Sequence, residues 1–121
     1  MTLFSYLLTN LLVDVPQAVG AIFVDPEGEA VEWVTRHGDP FDLKVEGAYH
    51  SIFLRRLDSL TASTDAGSIS SVVLEGSRLV TLTQALPDGY YVVLVVDRKG
   101  SPAQALYHLR HAARAFAEQL G

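Results

Sequence analysis

His108 and His111 stand three residues apart in a stretch that reads as a helix, a spacing that metal sites use. Two imidazoles are only half a coordination shell, and no Cys, Asp or Glu lies one turn away to complete it, so a solvated helix face is expected and no metal. Asp25, Glu27 and Asp88 could be recruited to paired acid–base work. Each falls within or beside a tight turn, Pro26-Glu27-Gly28 or Pro87-Asp88-Gly89, where a carboxylate bonds its own backbone. Gly28 and Gly89 lie in the same turns and neither opens a helix, so no phosphate-cradling loop is present. No G-x-S-x-G nucleophile signature occurs, and the absence of cysteine removes thiol catalysis, disulfides and Cys-ligated zinc or iron–sulfur clusters. The residues therefore predict no enzyme, no catalytic residue and no cofactor.

The chain is short and apolar enough to need one core. Its 121 residues are 49% hydrophobic and its mean hydropathy is +0.22, which predicts a single globular domain over residues 1–121 rather than disorder. With 9 Lys+Arg against 14 Asp+Glu the net charge is −5, poorly suited to neutralising phosphates, so nucleic acid is not expected as a partner. No run reaches the roughly 18 apolar residues of a membrane-spanning helix, and membrane insertion is not expected. The apolar stretch Thr2 to Leu12 has no Lys or Arg before it and no small-residue cleavage pattern after it, so it is read as part of the fold. Zero cysteines suit a reducing, cytoplasmic location.

The elements follow from periodicity and turn chemistry. Leu3, Phe4, Leu7, Leu8, Leu11 and Leu12 draw one stripe on an amphipathic helix that Pro16 closes. Val19 to Asp25 and Ala30 to Thr35 predict a hairpin around Pro26-Glu27-Gly28. Asp39 as cap and Pro40 as first residue open a long second helix to about Leu60. Ile69 to Glu75, Arg78 to Ala85 and Tyr90 to Asp97 form an antiparallel meander. Its last run, Tyr90 to Val96, is apolar at every position and so belongs in the middle of the sheet with both faces covered. Ser101 and Pro102 start a final helix whose stripe Pro102, Leu106, Leu109, Ala113, Phe116 and Leu120 packs inward. The predicted fold is α+β, a five-stranded antiparallel sheet between helices in the order α-β-β-α-β-β-β-α.

The second helix carries more apolar surface than one core needs. Phe41, Val45, Ala48, Tyr49, Ile52, Phe53 and Leu60 form the stripe expected to pack on the sheet. A second stripe, Leu43, Gly47, His50, Leu54 and Leu57, has the 4-3-4-3 rhythm of a helix seam, with Gly47 allowing a close approach. Self-association through this seam is expected; surface leucines on a monomer, or cover from the first and last helices, would account for the same pattern. Arg56 falls near the expected core stripe, where its head must snorkel out or meet a carboxylate.

These elements resemble the roadblock domain, a family named for a dynein light chain that includes bacterial regulators of polarity-type small GTPases. The resemblance rests on the amphipathic first helix, on Val19 to Gly28 as a strand ending in Asp-x-x-Gly, and on Leu74-Glu75 and Leu79-Val80-Thr81-Leu82. It continues through Asp88-Gly89-Tyr90 to Asp97 and the helix Ala105 to Leu120, and so covers the whole chain. Profilin-like and longin-like domains have related topology. The resemblance implies a homodimer in which two sheets join through their third strands and the two long helices lie side by side. Ile69, Ser71 and Val73 of the third strand then join the helix seam in the dimer interface, and Ser68, Ser70 and Ser71 leave that edge free of blocking Pro or Lys. It further implies a non-catalytic scaffold that binds and regulates a Ras-like small GTPase; with the two long helices side by side, the 100° wheel puts Lys44, Ser51, Arg55 and Asp58 on the outer helix face as the expected partner-binding residues. His50, Arg55 and Arg56 depart from the neutral, alanine-rich run expected there. The alternative is a structural dimerisation adaptor of a motor or membrane-associated complex with no effect on GTP turnover.

Overall fold

The computed structural model describes residues 2–36, 40–61, 64, 65 and 67–121, and at 40, 41, 46–48, 50, 51 and 60 the backbone alone. The cap expected at Asp39 lies outside the described residues. Helix α1 (Leu3–Asp14) starts at a capping box in which Ser5 N donates to Thr2 Oγ1 and Thr2 N to Ser5 Oγ, each at 3.1 Å. At its other end Arg36 donates to the carbonyls of Leu12 and Pro16. The Leu12 carbonyl lies in the last turn, where the residue four on is Pro16 with no N–H to offer, and a guanidinium there also complements the helix dipole.

Strands β1 (Ala18–Val24) and β2 (Ala30–Thr35) form the expected hairpin. Its turn is held by Asp25, whose Oδ1 accepts from the amides of Glu27 and Glu29 at 3.0 and 2.9 Å. Gly28 takes the left-handed φ of 89° that this turn requires. After α2 (Pro40–Thr61) come β3 (Ser71–Glu75), β4 (Leu79–Ala85), a short 3-10 turn at Pro87–Gly89, β5 (Tyr91–Asp97) and α3 (Pro102–Leu120). The sheet runs β2-β1-β5-β4-β3 and every pairing is antiparallel. The apolar run read as central is therefore the middle strand, with Val92 to Val96 all buried.

The two faces of β5 feed two cores. Val92, Leu94 and Val96 join α1 and α3 through Leu8, Leu11, Leu109 and Phe116, while Val93 and Val95 join Ile22, Val24 and Leu43 beneath α2. The larger core is organised by aromatic rings: Phe23 of β1 lies 4.6 Å from Phe4, 5.1 Å from Phe116 and 5.4 Å from Tyr90, centroid to centroid. One ring thus ties α1, α3 and the entry to β5 to the centre of the sheet, with each aromatic pair adding about 0.5–1.5 kcal/mol beyond area burial.

The orientation of α2 is the main correction to the sequence reading. Leu43 and Leu54, assigned to an outward seam, are only 7% and 3% exposed and are covered within the chain itself. Val45, Tyr49, Ile52 and Phe53, assigned to the sheet, are all exposed, Tyr49 at 69%. Phe41, Gly47, Ala48, His50 and Leu60 have side chains outside those described. The reason is local. A Cβ placed on Gly20 of β1 would lie 2.4 Å from Leu43 Cδ1 and 2.9 Å from the Val34 carbonyl oxygen, so the missing side chain is space that Leu43 occupies beside the β2 backbone. Nearby, Lys44 Nζ sits 3.6 Å from the centre of the Trp33 ring, a cation–π contact that holds this end of α2 over β2.

Because Gly20 and Leu43 share one volume, their substitutions must be coupled. Gly20→Ala is expected to destabilise by about 1–3 kcal/mol through overpacking and Leu43→Ala by about 2–5 kcal/mol through a cavity. The double variant should lose less than the sum in urea unfolding, and additive losses would refute the contact.

Candidate interaction surface

Turning Leu43 and Leu54 inward leaves the other apolar stripe of α2 without cover. Val45, Tyr49, Ile52 and Arg56 follow a 4-3-4 spacing of their own, with Phe53 beside them. The helix crosses the sheet from β1 and β5, where Leu43 packs, to the neighbourhood of β3. There Tyr49, Ile52, Phe53 and Arg56 flank Leu74 around a groove of about 340 Å³. Ile52 is 46% exposed, Phe53 41% and Leu74 40%, so helix and strand present one continuous apolar surface. Arg56 lies at this groove with its side chain exposed, which resolves its position near the supposed core stripe.

Strand β3 bounds the sheet and pairs with β4 alone among the described residues. Its second row of backbone groups therefore faces outward, and no Pro or Lys lies within Ser71–Glu75 to obstruct it. The strand begins two residues later than expected, so Ile69 lies in the approach to it. Ile69 N donates to Asp58 Oδ1 at 2.9 Å, which fastens the end of α2 to the start of this edge.

The residues singled out from the sequence are thus dispersed. Leu57, Ile69 and Ser71 are half-buried and Val73 is exposed on the α1/α3 side, in register with Leu82. Of the residues proposed for the outer face, Lys44 is engaged on Trp33, Asp58 on Ile69, and Arg55 is exposed. The side chain of Ser51 lies outside those described. Tyr49, Ile52, Phe53 and Leu74 were missed as surface residues. Two signals could have found them: a charge, Arg56, in a stripe assigned to the core, and a glycine, Gly20, inside an apolar strand, where it marks a close approach.

His108 is half-buried and His111 exposed on α3, with the His108 ring edge-on to Tyr107 at 5.3 Å. Among the described residues no three His, Asp or Glu converge as metal ligands, and no helix is long and apolar enough to cross a membrane.

No protein-family model matches the chain, and no curated protein matches it in sequence. Solved structures do. A Roadblock/LC7 domain from Streptomyces avermitilis is similar over 95% of each chain with a TM-score of 0.85 at 18% identity. MglB of Myxococcus xanthus is similar over 98% of each chain with a TM-score of 0.84 at 12% identity. An MglB described as having a tetrameric arrangement matches 94% of this chain and 85% of its own, with a TM-score of 0.85 at 18% identity. With near-complete coverage in both directions and the sheet order and helix layers described above, the chain has the fold of the Roadblock/LC7 domain.

Proposed function

We propose that this chain is a homodimeric scaffold that binds and regulates a Ras-like small GTPase without chemistry of its own. The observation that carries the reading is the continuous apolar surface of Tyr49, Ile52, Phe53 and Leu74 beside an unobstructed β3 edge. A monomer leaves both exposed. A twofold pairing of two β3 strands extends the sheet across the dyad, and the same operation brings the outward stripes of the two α2 helices together. In this dimer Val45, Tyr49, Ile52 and Phe53 replace Leu43 and Leu54 as the helix contribution, with Arg56 at the rim. The fold shared with MglB, one form of which is tetrameric, supports self-association.

The GTPase reading rests on the resemblance to roadblock regulators and on the absence of catalytic motifs. A regulator can act by holding the switch residues of the GTPase in place, because phosphoryl transfer depends mostly on positioning and electrostatics. Arg55, exposed on α2 outside the apolar stripe, supplies charge for steering an acidic switch region. A purely structural adaptor would use the same dimer and leave GTP turnover unchanged.

Light scattering at micromolar concentration should give twice the 13.2 kDa chain mass. The pair Ile52→Glu and Phe53→Glu should reduce it to one chain while the far-ultraviolet circular dichroism stays native, since both side chains are exposed in the protomer. Leu54→Glu should instead unfold the protein, because it buries an unpaired charge. A dimer that survives the first pair would move the interface elsewhere. For the partner, small GTPases of the source genome are titrated calorimetrically in their GDP and GTP-analogue states. Arg55→Glu should weaken binding about tenfold with the dimer intact, and a GTPase that binds while its hydrolysis rate is unchanged would favour the adaptor.

A further inference from the structure

We propose that the outward face of α1 is a second self-association surface, through which the α1 helix of one dimer pairs antiparallel with the α1 helix of another. The inference rests on the dimer described above and concerns the contact between dimers.

α1 is nearly without charge. Its 12 residues carry one, Asp14 at the C-terminal end, whereas α2 exposes Asp42, Arg55 and Arg56 and α3 exposes Arg110, Arg114 and Glu118. Leu8, Leu11 and Leu12 face the core, and at 100° per residue Leu3, Tyr6, Asn10 and Val13 share an arc of about 80° on the other side. Val13 is 70% exposed, Tyr6 52% and Leu3 47%, and Asn10 is exposed among them. Their 3-4-3 spacing is that of a helix seam. In a chain of net charge −5, an uncharged stripe about 15 Å long is where two copies approach against the least repulsion.

The stripe is complementary to itself in one direction. An antiparallel pair whose twofold axis passes at the level of Leu8 sets Leu3 of each helix beside Val13 of the other, and Tyr6 of each beside Asn10 of the other. Apolar groups meet at both ends, and the phenol and amide between them can satisfy each other's hydrogen bonds. A parallel pair would bring the two Asp14 carboxylates together and align the helix dipoles. The antiparallel pair separates the carboxylates and opposes the dipoles.

Charge and position select the occupant. Asp14 borders one end of the stripe, and Glu32, which accepts from Thr2 Oγ1 at 3.0 Å, borders the other. α1 contains no Lys or Arg, so a nucleic acid or an anionic membrane finds no cation along the stripe. A charged partner would have to bury its charges against Leu3, Tyr6 and Val13, which is costly. The fitting complement is an uncharged helical face, and this chain carries one. α1 packs on β1, β2 and α3, across the sheet from β3 in the order β2-β1-β5-β4-β3. Joining two sheets through β3 therefore leaves both α1 helices free and roughly 40 Å apart at a strand spacing of about 4.8 Å. They cannot meet within one dimer, so each dimer offers a contact at either end. A stripe this short falls below the about 1,000 Å² of a stable interface. The pairing is therefore weak, and since the acidic copies repel one another it tightens as salt screens them.

The test is sedimentation equilibrium of the full-length protein from about 10 µM to about 1 mM, at low and moderate salt. The wild type should start at two chains and rise above two, further at the higher salt. Tyr6→Glu with Val13→Glu, both at exposed positions, should hold the mass at two chains throughout with native far-ultraviolet circular dichroism. The register is read by crosslinking, because the chain has no cysteine of its own. Leu3→Cys mixed with Val13→Cys should form disulfides between the two variants at least about tenfold faster than either variant alone. Phosphatidylserine vesicles test for a lipid occupant. A wild type fixed at two chains, a rise that survives Tyr6→Glu with Val13→Glu, equal crosslinking in all three samples, or vesicle binding that those substitutions abolish overturns the α1 contact and leaves the dimer standing. A mass of one chain at every concentration overturns both.

Discussion

Leu43 reaches the sheet because β1 has no side chain at Gly20, and that contact sets the rotation of α2 about its own axis. A helix with two apolar stripes can bury only one against a sheet. Once Leu43 is seated over Ile22, Val93 and Val95, and Leu54 follows it inward, the stripe of Val45, Tyr49, Ile52 and Phe53 is turned to solvent. The outward face of α2, the groove beside Leu74 and the candidate association surface all follow from that rotation. A one-residue void in a strand thereby determines which residues the molecule shows to others.

The two faces of the sheet are built differently. On the α1/α3 side two helices and a cluster of four aromatic rings cover β1, β5 and β4. Beneath α2 the compact core holds five buried residues among those described, and Thr81 and Thr83 are buried polar residues of β4. In register with them, Val72 and Leu74 of β3 face the same way, half-buried and exposed respectively. One helix cannot cover five strands, so the β3 end of this face stays thinly protected. Apolar side chains and an open strand edge meet there, the combination that edge-to-edge pairing uses.

Much of the polar hardware serves construction. Asp25 closes a turn, Arg36 caps α1, Asp58 fastens the approach to β3 and Lys44 clamps Trp33. Asp58 and Lys44 look like partner-binding residues on a helical wheel, yet each has a partner inside the chain. Arg56 of α2 and Arg110 and Arg114 of α3 are exposed and line grooves on the two sides of the sheet.

The element order, the hairpin at Pro26-Glu27-Gly28, the central place of Tyr91–Asp97 and the inward stripe of α3 were all legible in the sequence. Each depends on local chemistry: turn residues, alternation, or an apolar run too long to leave one face wet. The rotation of α2 was not legible. Leu43, Gly47, His50, Leu54 and Leu57 share the heptad-like rhythm of Val45, Tyr49, Ile52 and Arg56, so periodicity gives two equally spaced stripes and no rule for choosing between them. The choice lies in the fit of Leu43 above Gly20, residues 23 positions apart, and in the burial of Leu54 further along the helix. That complementarity exists only after hairpin and helix have met, and for that reason tertiary packing alone decided which side chains form the candidate surface.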